Sequence, residues 1–158
     1  MRYCSWLGAL LLLLCGALAG GGTLSYERRR CRQGEAFLSL MRHIRAQIDC
    51  FSTPLQGILA NCDPAVWRDC GVAEPPRGLA ELLRDAPLCM PDEACRLLFD
   101  AAARLGAGYR EEQLRCCDYF LERLTPICDK MRRELPKRER LALLLPITAA
   151  AILVLLLI

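Results

Sequence analysis

Eleven cysteines and a single histidine are the residues of this 158-residue chain whose side chains most readily do chemistry. Thiolates and imidazole bind zinc, and two thiols can form a disulfide. The cysteines include no C-x-x-C pair, and His43 has no cysteine within four residues, so the spacing predicts no zinc site. His43 also lacks a Ser, Asp or Cys arrangement typical of catalysis. We therefore predict no metal and no cofactor.

Other signals of catalysis are weak as well. Gly20-Gly21-Gly22 lacks the lysine of a phosphate-binding loop, and no nucleophile elbow occurs. Glu111 and Glu112 are best explained as acidic residues at a helix N-terminus. With 21 basic and 18 acidic residues, the net charge of +3 is too small to indicate nucleic-acid binding. The sequence predicts no catalytic residues and a protein that is not an enzyme.

The distribution of charge divides the chain into three parts. No charged residue lies between Arg2 and Glu27, and none lies from Leu141 to Ile158. As a helix, the second stretch would extend about 27 Å, close to the thickness of a bilayer's hydrocarbon core. We predict an N-terminal transmembrane helix over 1–26, a cytoplasmic helical domain over 27–140 and a C-terminal transmembrane helix over 141–158.

The basic flanks favour this topology over a secreted one. Ala17-Leu18-Ala19 resembles a signal-peptide cleavage site, so residues 1–26 alone fit a signal peptide nearly as well. Arginines follow the first apolar segment, however, and six basic residues precede the second. Because lysine and arginine are in excess on cytoplasmic flanks, both flanks place the middle of the chain in the cytoplasm of a cell-membrane protein that spans the bilayer twice.

The alternative is a secreted or surface-anchored, disulfide-rich helical binding protein with a cleaved signal peptide. Cleavage would leave nine cysteines, an odd number, so at least one would lack an intramolecular partner. A GPI-type signal is disfavoured because charged residues 137–140 stand where small residues are required. In a reducing cytosol the same cysteines act as small apolar side chains.

Apolar spacing in the middle of the chain is helical throughout, so the predicted fold class is all-α, a helical bundle. A first stripe, at steps of three and four, predicts a helix over 34–51 with a core-facing side. A second helix should start at Ser52-Thr53-Pro54 and end near Asn61, and 62–77 should be an irregular connection anchored by Trp67. The first stripe consists of Phe37, Met41, Ile44, Ile48 and Phe51.

Three further helices complete the prediction. A short one contains Leu79, Leu82 and Leu83, and another runs from Pro91 to the glycines at 106 and 108. The last helix starts near Tyr109, and Pro126 should kink or interrupt it. Its apolar stripe comprises Leu114, Cys117, Leu121, Leu124, Cys128, Met131 and Leu135, and we expect Cys117 and Cys128 to be buried.

Several short segments and their order along the chain match a known pattern. An apolar segment leads directly into Glu27-Arg28-Arg29-Arg30, and an apolar helix ends the chain. The segments between them that match are Gln47-Ile48-Asp49-Cys50-Phe51, Thr53-Pro54-Leu55, Phe99, Leu105-Gly106 and Gln113. In this order the chain resembles, over nearly its whole length, the stage III sporulation protein AB family of spore-forming bacteria. The abundance of cysteine and the proline-interrupted middle depart from the family's pattern.

This resemblance implies a role without catalysis. It implies a membrane component of the secretion-like channel complex between mother cell and forespore, in the mother-cell membrane facing the forespore. The protein would act as a platform or adaptor for a cytoplasmic ATPase beside other channel membrane proteins. Charged residues off the apolar stripe at the start of the last helix would contact that partner, and we expect Arg110, Glu112 and Arg115 to be those contacts.

Overall fold

The computed structural model of the chain is helical, and no strand occurs in the part that it describes, residues 2–51, 53–106 and 108–157. The predicted all-α fold class is confirmed. In these ranges the helices are α1 (Arg2–Phe51), α2 (Leu55–Ala60), α3 (Pro64–Cys70), α4 (Leu79–Asp85), α5 (Asp92–Arg104) and α6 (Arg110–Leu157).

The apolar ends of the chain belong to α1 and α6. Much of the predicted transmembrane segments 1–26 and 141–158 lies outside the described side chains. The side chains left out include most of those before residue 20 and all of those after residue 152. Across the residues that the structure does describe, no helix has a stretch long and apolar enough to cross a membrane.

The chain forms two compact units. One contains residues 30–131, and the other contains residues 1–29 together with 132–158. The core of the first unit is built on the stripe predicted in α1, because Phe37, Met41, Ile44 and Ile48 are all buried. Phe51, the last member of that stripe, is instead 71% exposed, so its predicted burial is wrong. It is the final residue of α1, beyond the last turn that packs on the core.

Helix α6 supplies the facing side of this core. Cys117, Leu124 and Cys128 are buried, which confirms the expectation for both cysteines, and the sequence analysis missed the equally buried Phe120. The helix runs without interruption through Pro126, so the predicted alternative of an interruption there is wrong. Close approach of α1 and α6 is possible because residue 34 of α1 is glycine. A Cβ atom there would lie 2.7 Å from the Cε atom of Met131.

The predicted irregular connection over 62–77 is wrong in part, because it contains α3. The Asp63 side chain caps this helix by accepting a hydrogen bond from the Ala65 amide at 2.7 Å, and Pro64 occupies its first position. Gly71 ends it with a φ of 102°, a left-handed conformation that favours glycine. Trp67 is buried, as expected.

The helix predicted over 34–51 ends as expected but does not begin at 34, because α1 runs from Arg2 to Phe51. Most of the later boundaries agree with the structure. Pro54 itself precedes the first residue of α2 and no side chain caps that helix, whereas Asn61 ends it as expected. Helices α4 and α5 cover the two predicted segments, and Gly106 and Gly108 both adopt positive φ angles after α5. The glycines therefore let the chain turn from α5 into α6.

Two ion pairs connect α1 to α6 in the second unit. The Arg28 Nε atom lies 2.8 Å from the Glu139 Oε1 atom, and an Arg138 Nη1 atom lies 3.1 Å from the Glu27 Oε1 atom. Arg138 also pairs with Glu134 one turn earlier, and its hydrogen bonds to Glu134 and Glu27 raise its pKa. Charged residues close to the two uncharged segments thus pair across α1 and α6.

Candidate partner-binding surface

The first turns of α6 lie between two surface grooves of the 30–131 unit. One groove has a volume of about 500 Å³ and is lined by residues that include Arg110. The other has a volume of about 510 Å³ and is lined by residues that include Glu112 and Arg115. Gln113 lines both grooves, and its Nε2 atom donates to the Gly108 carbonyl at 3.0 Å. The structure therefore separates the three predicted contact residues into two surfaces.

Arg110 has a structural task that the sequence did not reveal. Its Nε atom donates to the Ile48 carbonyl at 3.2 Å, and an Nη2 atom donates both to the Asp49 carbonyl and, at 2.8 Å, to the Asp49 Oδ1 atom. Ile48 and Asp49 are among the last four residues of α1, whose carbonyl groups have no partner inside the helix. A cation at this end also interacts favourably with the helix dipole. Arg110 thus caps α1.

Asp49 is shared by a second guanidinium group. An Arg45 Nη1 atom lies 3.7 Å from the Asp49 Oδ2 atom, and the Arg45 Nε atom lies 2.5 Å from the Asp118 Oδ1 atom of α6. The hydrogen bond to Asp118 raises the pKa of Arg45. Because these groups are largely exposed, each pair contributes little to the free energy of folding. Together they fix where α6 begins relative to the end of α1.

The first groove, defined by Arg77, Arg110 and the apolar residues beneath them, has a mixed lining. Its floor is formed by the buried side chains of Ile48, Leu79 and Leu105. The exposed Arg77 lies on its rim, and the Arg77 guanidinium has no hydrogen bond or ion pair with a described residue. An apolar floor beneath cationic side chains can bind an apolar group that has a negative charge beside it.

The second groove lies between the end of α5 and the start of α6. Glu112 and Arg115 are both exposed there, and neither makes an ion pair with a described residue. Arg104 on the opposite wall is already paired, with its Nε atom 2.9 Å from the Asp100 Oδ1 atom. The predicted contact residues Glu112 and Arg115 are thus available to a partner.

The thiol in this groove is not activated for nucleophilic attack. Burial raises the pKa of Cys116; the neighbouring carboxylates of Asp100 and Glu112 also raise it, whereas Arg104 lowers it. Tyr119, a further lining residue, is covered by the Arg123 guanidinium, whose central carbon lies 5.0 Å from the ring centroid. This arrangement suits contact with a protein surface better than thiol chemistry.

Two exposed aromatic residues at the end of α1 and the start of α6 were not recognised as surface features from the sequence. Phe51 and Tyr109 are 71% and 87% exposed. Phe51 is the last residue of α1, and Tyr109 immediately precedes Arg110, the first residue of α6. Tyrosine and arginine are enriched in the energetically important parts of protein interfaces. Their position next to predicted helix ends was the feature of the sequence that could have indicated their exposure.

No disulfide joins the cysteines whose side chains the structure describes. Within the described residues, no three His, Cys, Asp or Glu side chains are grouped so that they could hold a metal ion. The surface at the start of α6 therefore offers charged and aromatic side chains for binding. Comparison of the chain with protein-family models, with curated proteins and with solved structures gives no match.

Proposed function

We propose that the protein is a non-catalytic membrane component of the mother cell to forespore channel complex, and that it acts as an adaptor for a cytoplasmic ATPase. In this proposal 1–26 and 141–158 are transmembrane helices and 27–140 is cytoplasmic. The order of sequence motifs supports the family, and the uncharged run over 141–158 supports the membrane attachment. Neither nucleotide nor nucleic acid is a ligand of the protein in this role.

The main structural support for the proposed membrane attachment comes from the ion pairs between the two basic flanks. Glu27 and Arg28 of α1, just after the first uncharged segment, pair with Arg138 and Glu139 of α6, just before the second one. The end of the first segment and the start of the second are therefore side by side. A domain held in this way at both ends faces one side of a membrane, with its basic flanks at the lipid headgroups.

The adaptor role requires exposed residues that are not needed to hold the domain together. Glu112 and Arg115 meet this requirement, since they are exposed and have no ion pair with a described residue. Arg110 does not, because it caps α1. Reversal of the charge of Arg110 would remove the cap at the end of α1. A loss of ATPase binding could then result from a loss of folding. The test therefore leaves Arg110 unchanged.

The experiment is a pull-down of the purified ATPase by the full chain in detergent. We expect the double variant Glu112→Arg with Arg115→Glu to recover about fivefold less ATPase, since complementary charges guide association. Helix content should stay unchanged because exposed charges contribute little to folding. The matched control is Glu93→Arg with Arg96→Glu, an exposed pair on α5 with the same spacing and order.

Two results would count against the proposal. Equal recovery by the wild type and the Glu112/Arg115 variant would remove this surface from the interface. Failure of the wild type to recover ATPase would contradict the adaptor role itself.

A further inference from the structure

We propose that the first groove binds a segment of the partner protein in which an apolar side chain is followed or preceded by an acidic one. This inference rests on the proposed adaptor function and deepens it, because it names the docking site and the chemistry of the docked segment. The apolar side chain would enter the groove, and the carboxylate would pair with Arg77 on its rim.

The size and lining of the groove support an apolar anchor. Its volume of about 500 Å³ lies within the range of sites that hold small ligands or a few side chains. Ile48, Leu79 and Leu105 form the floor, and the half-buried Leu55 and Ala102 extend it. Removal of apolar surface of this kind from water lowers the free energy and so favours binding.

The charges of the lining residues indicate that the docked segment should also contain an acidic side chain. The charged residues that line the groove are Arg77 and Arg110, and no acidic residue is among its lining side chains. The carboxylates nearby are already engaged: Asp49 pairs with Arg110, and Glu81 accepts the Arg77 backbone amide at 2.6 Å. The Arg77 guanidinium itself has no hydrogen bond or ion pair with a described residue. A carboxylate from a partner protein could therefore form an ion pair with the Arg77 guanidinium.

Two exposed aromatic residues at the neighbouring helix ends fit the same interpretation. Phe51 and Tyr109 are the most exposed aromatic side chains among the described residues of the 30–131 unit. They lie at the helix ends that Arg110 connects, and Arg110 also lines the groove. Tyrosine and arginine are enriched among the residues that contribute most to binding at protein interfaces.

The test measures the affinity of the full chain in detergent for the purified ATPase. Ala80 is exposed on α4 and lines the groove, so Ala80→Trp should fill it and weaken binding at least about tenfold. Arg77→Glu should weaken binding about tenfold and reduce its salt dependence, whereas Arg77→Lys, which keeps the charge, should change it about threefold or less.

Two matched controls separate a blocked groove from a damaged protein. Ala46→Trp places the same ring on an exposed position of α1 outside both grooves, and Arg96→Glu reverses an exposed charge on α5. Both should bind the ATPase within about twofold of the wild type, since exposed positions away from an interface contribute little. Circular dichroism of every variant should match that of the wild type.

The outcomes distinguish this inference from the function on which it rests. If the wild type binds the ATPase and Ala80→Trp and Arg77→Glu bind equally well, the groove is not the docking site, although the adaptor function stands. If these variants instead abolish self-association of the chain and leave ATPase binding intact, the occupant is a second copy and the inference is overturned. If the wild type binds no ATPase, both fall.

Discussion

The side-chain amide of Gln33 donates a hydrogen bond to the backbone carbonyl of Cys70 at 2.8 Å and so ties α1 to the end of α3. The same Nε2 atom donates to the Pro87 carbonyl at 3.2 Å, and the Gln33 Oε1 atom accepts the Cys89 amide at 2.8 Å. Gln33 is almost completely buried. One polar side chain thus satisfies the last carbonyl of α3 and two backbone groups of the connection between α4 and α5.

Replacement of Gln33 by leucine should destabilise the protein by about 2–3 kcal/mol. The leucine has a similar volume but leaves the buried Cys70 carbonyl without a partner, at a cost of about 1–3 kcal/mol, and the two part-buried groups at Pro87 and Cys89 cost less. Chemical denaturation monitored by circular dichroism measures the change in the free energy of unfolding. Gln47→Leu is the control, since Gln47 is half-exposed on the same helix. Equal stability of the two variants would contradict the structural role of Gln33.

Buried thiols should make the stability fall at alkaline pH. Burial raises the pKa of Cys70 to about 12 and the pKa values of Cys117 and Cys128 to about 11. In the unfolded chain a thiol titrates near its ordinary value of about 8.5. Below that value the thiols are protonated in both states. Above it only the unfolded state loses protons, so each thiol lowers the stability by about 1.4 kcal/mol per pH unit up to its folded pKa.

Comparison of variants isolates this effect from other groups that titrate at high pH. The double variant Cys117→Ala with Cys128→Ala should lose about 1 kcal/mol per site at pH 7 and then show a shallower decline between pH 9 and 11. Cys50→Ala, at an exposed position, should match the wild type across the range. Aspartate at position 117 should unfold the domain because an unpaired charge would be buried. An unchanged pH dependence in the double alanine variant would refute the assignment.

The proposed topology predicts where thiol reagents can reach. Cys50 is exposed at the end of α1 and within the domain proposed as cytoplasmic. A membrane-impermeant maleimide should therefore leave it unmodified in intact cells and label it after lysis, because the bilayer separates reagent and thiol. Cys117 is the control, since its burial should prevent rapid labelling in both conditions until the protein is denatured. Labelling of Cys50 without lysis would favour the secreted alternative.

The sequence alone identified most of the helical segments and much of the core. Apolar residues at steps of three and four define one side of a helix whatever it packs against, so the α1 and α6 stripes could be read directly. Proline and glycine also marked the ends of α4 and α5 because they act on the local backbone. The same local chemistry, Asp63-Pro64 and Gly71, encodes α3, and its misreading as an irregular connection was avoidable.

Contacts between distant parts of the chain were decided by the tertiary structure. Helical periodicity identifies a face but not the residue opposite it, which depends on how the helices pack. Arg110 appeared to be a free surface charge, yet the fold brings it to the carbonyl groups at the end of α1. The first groove likewise gathers Ile48, Arg77 and Leu105 from three separate segments. Such a site exists only once those segments are packed together, because no local pattern in the sequence links them.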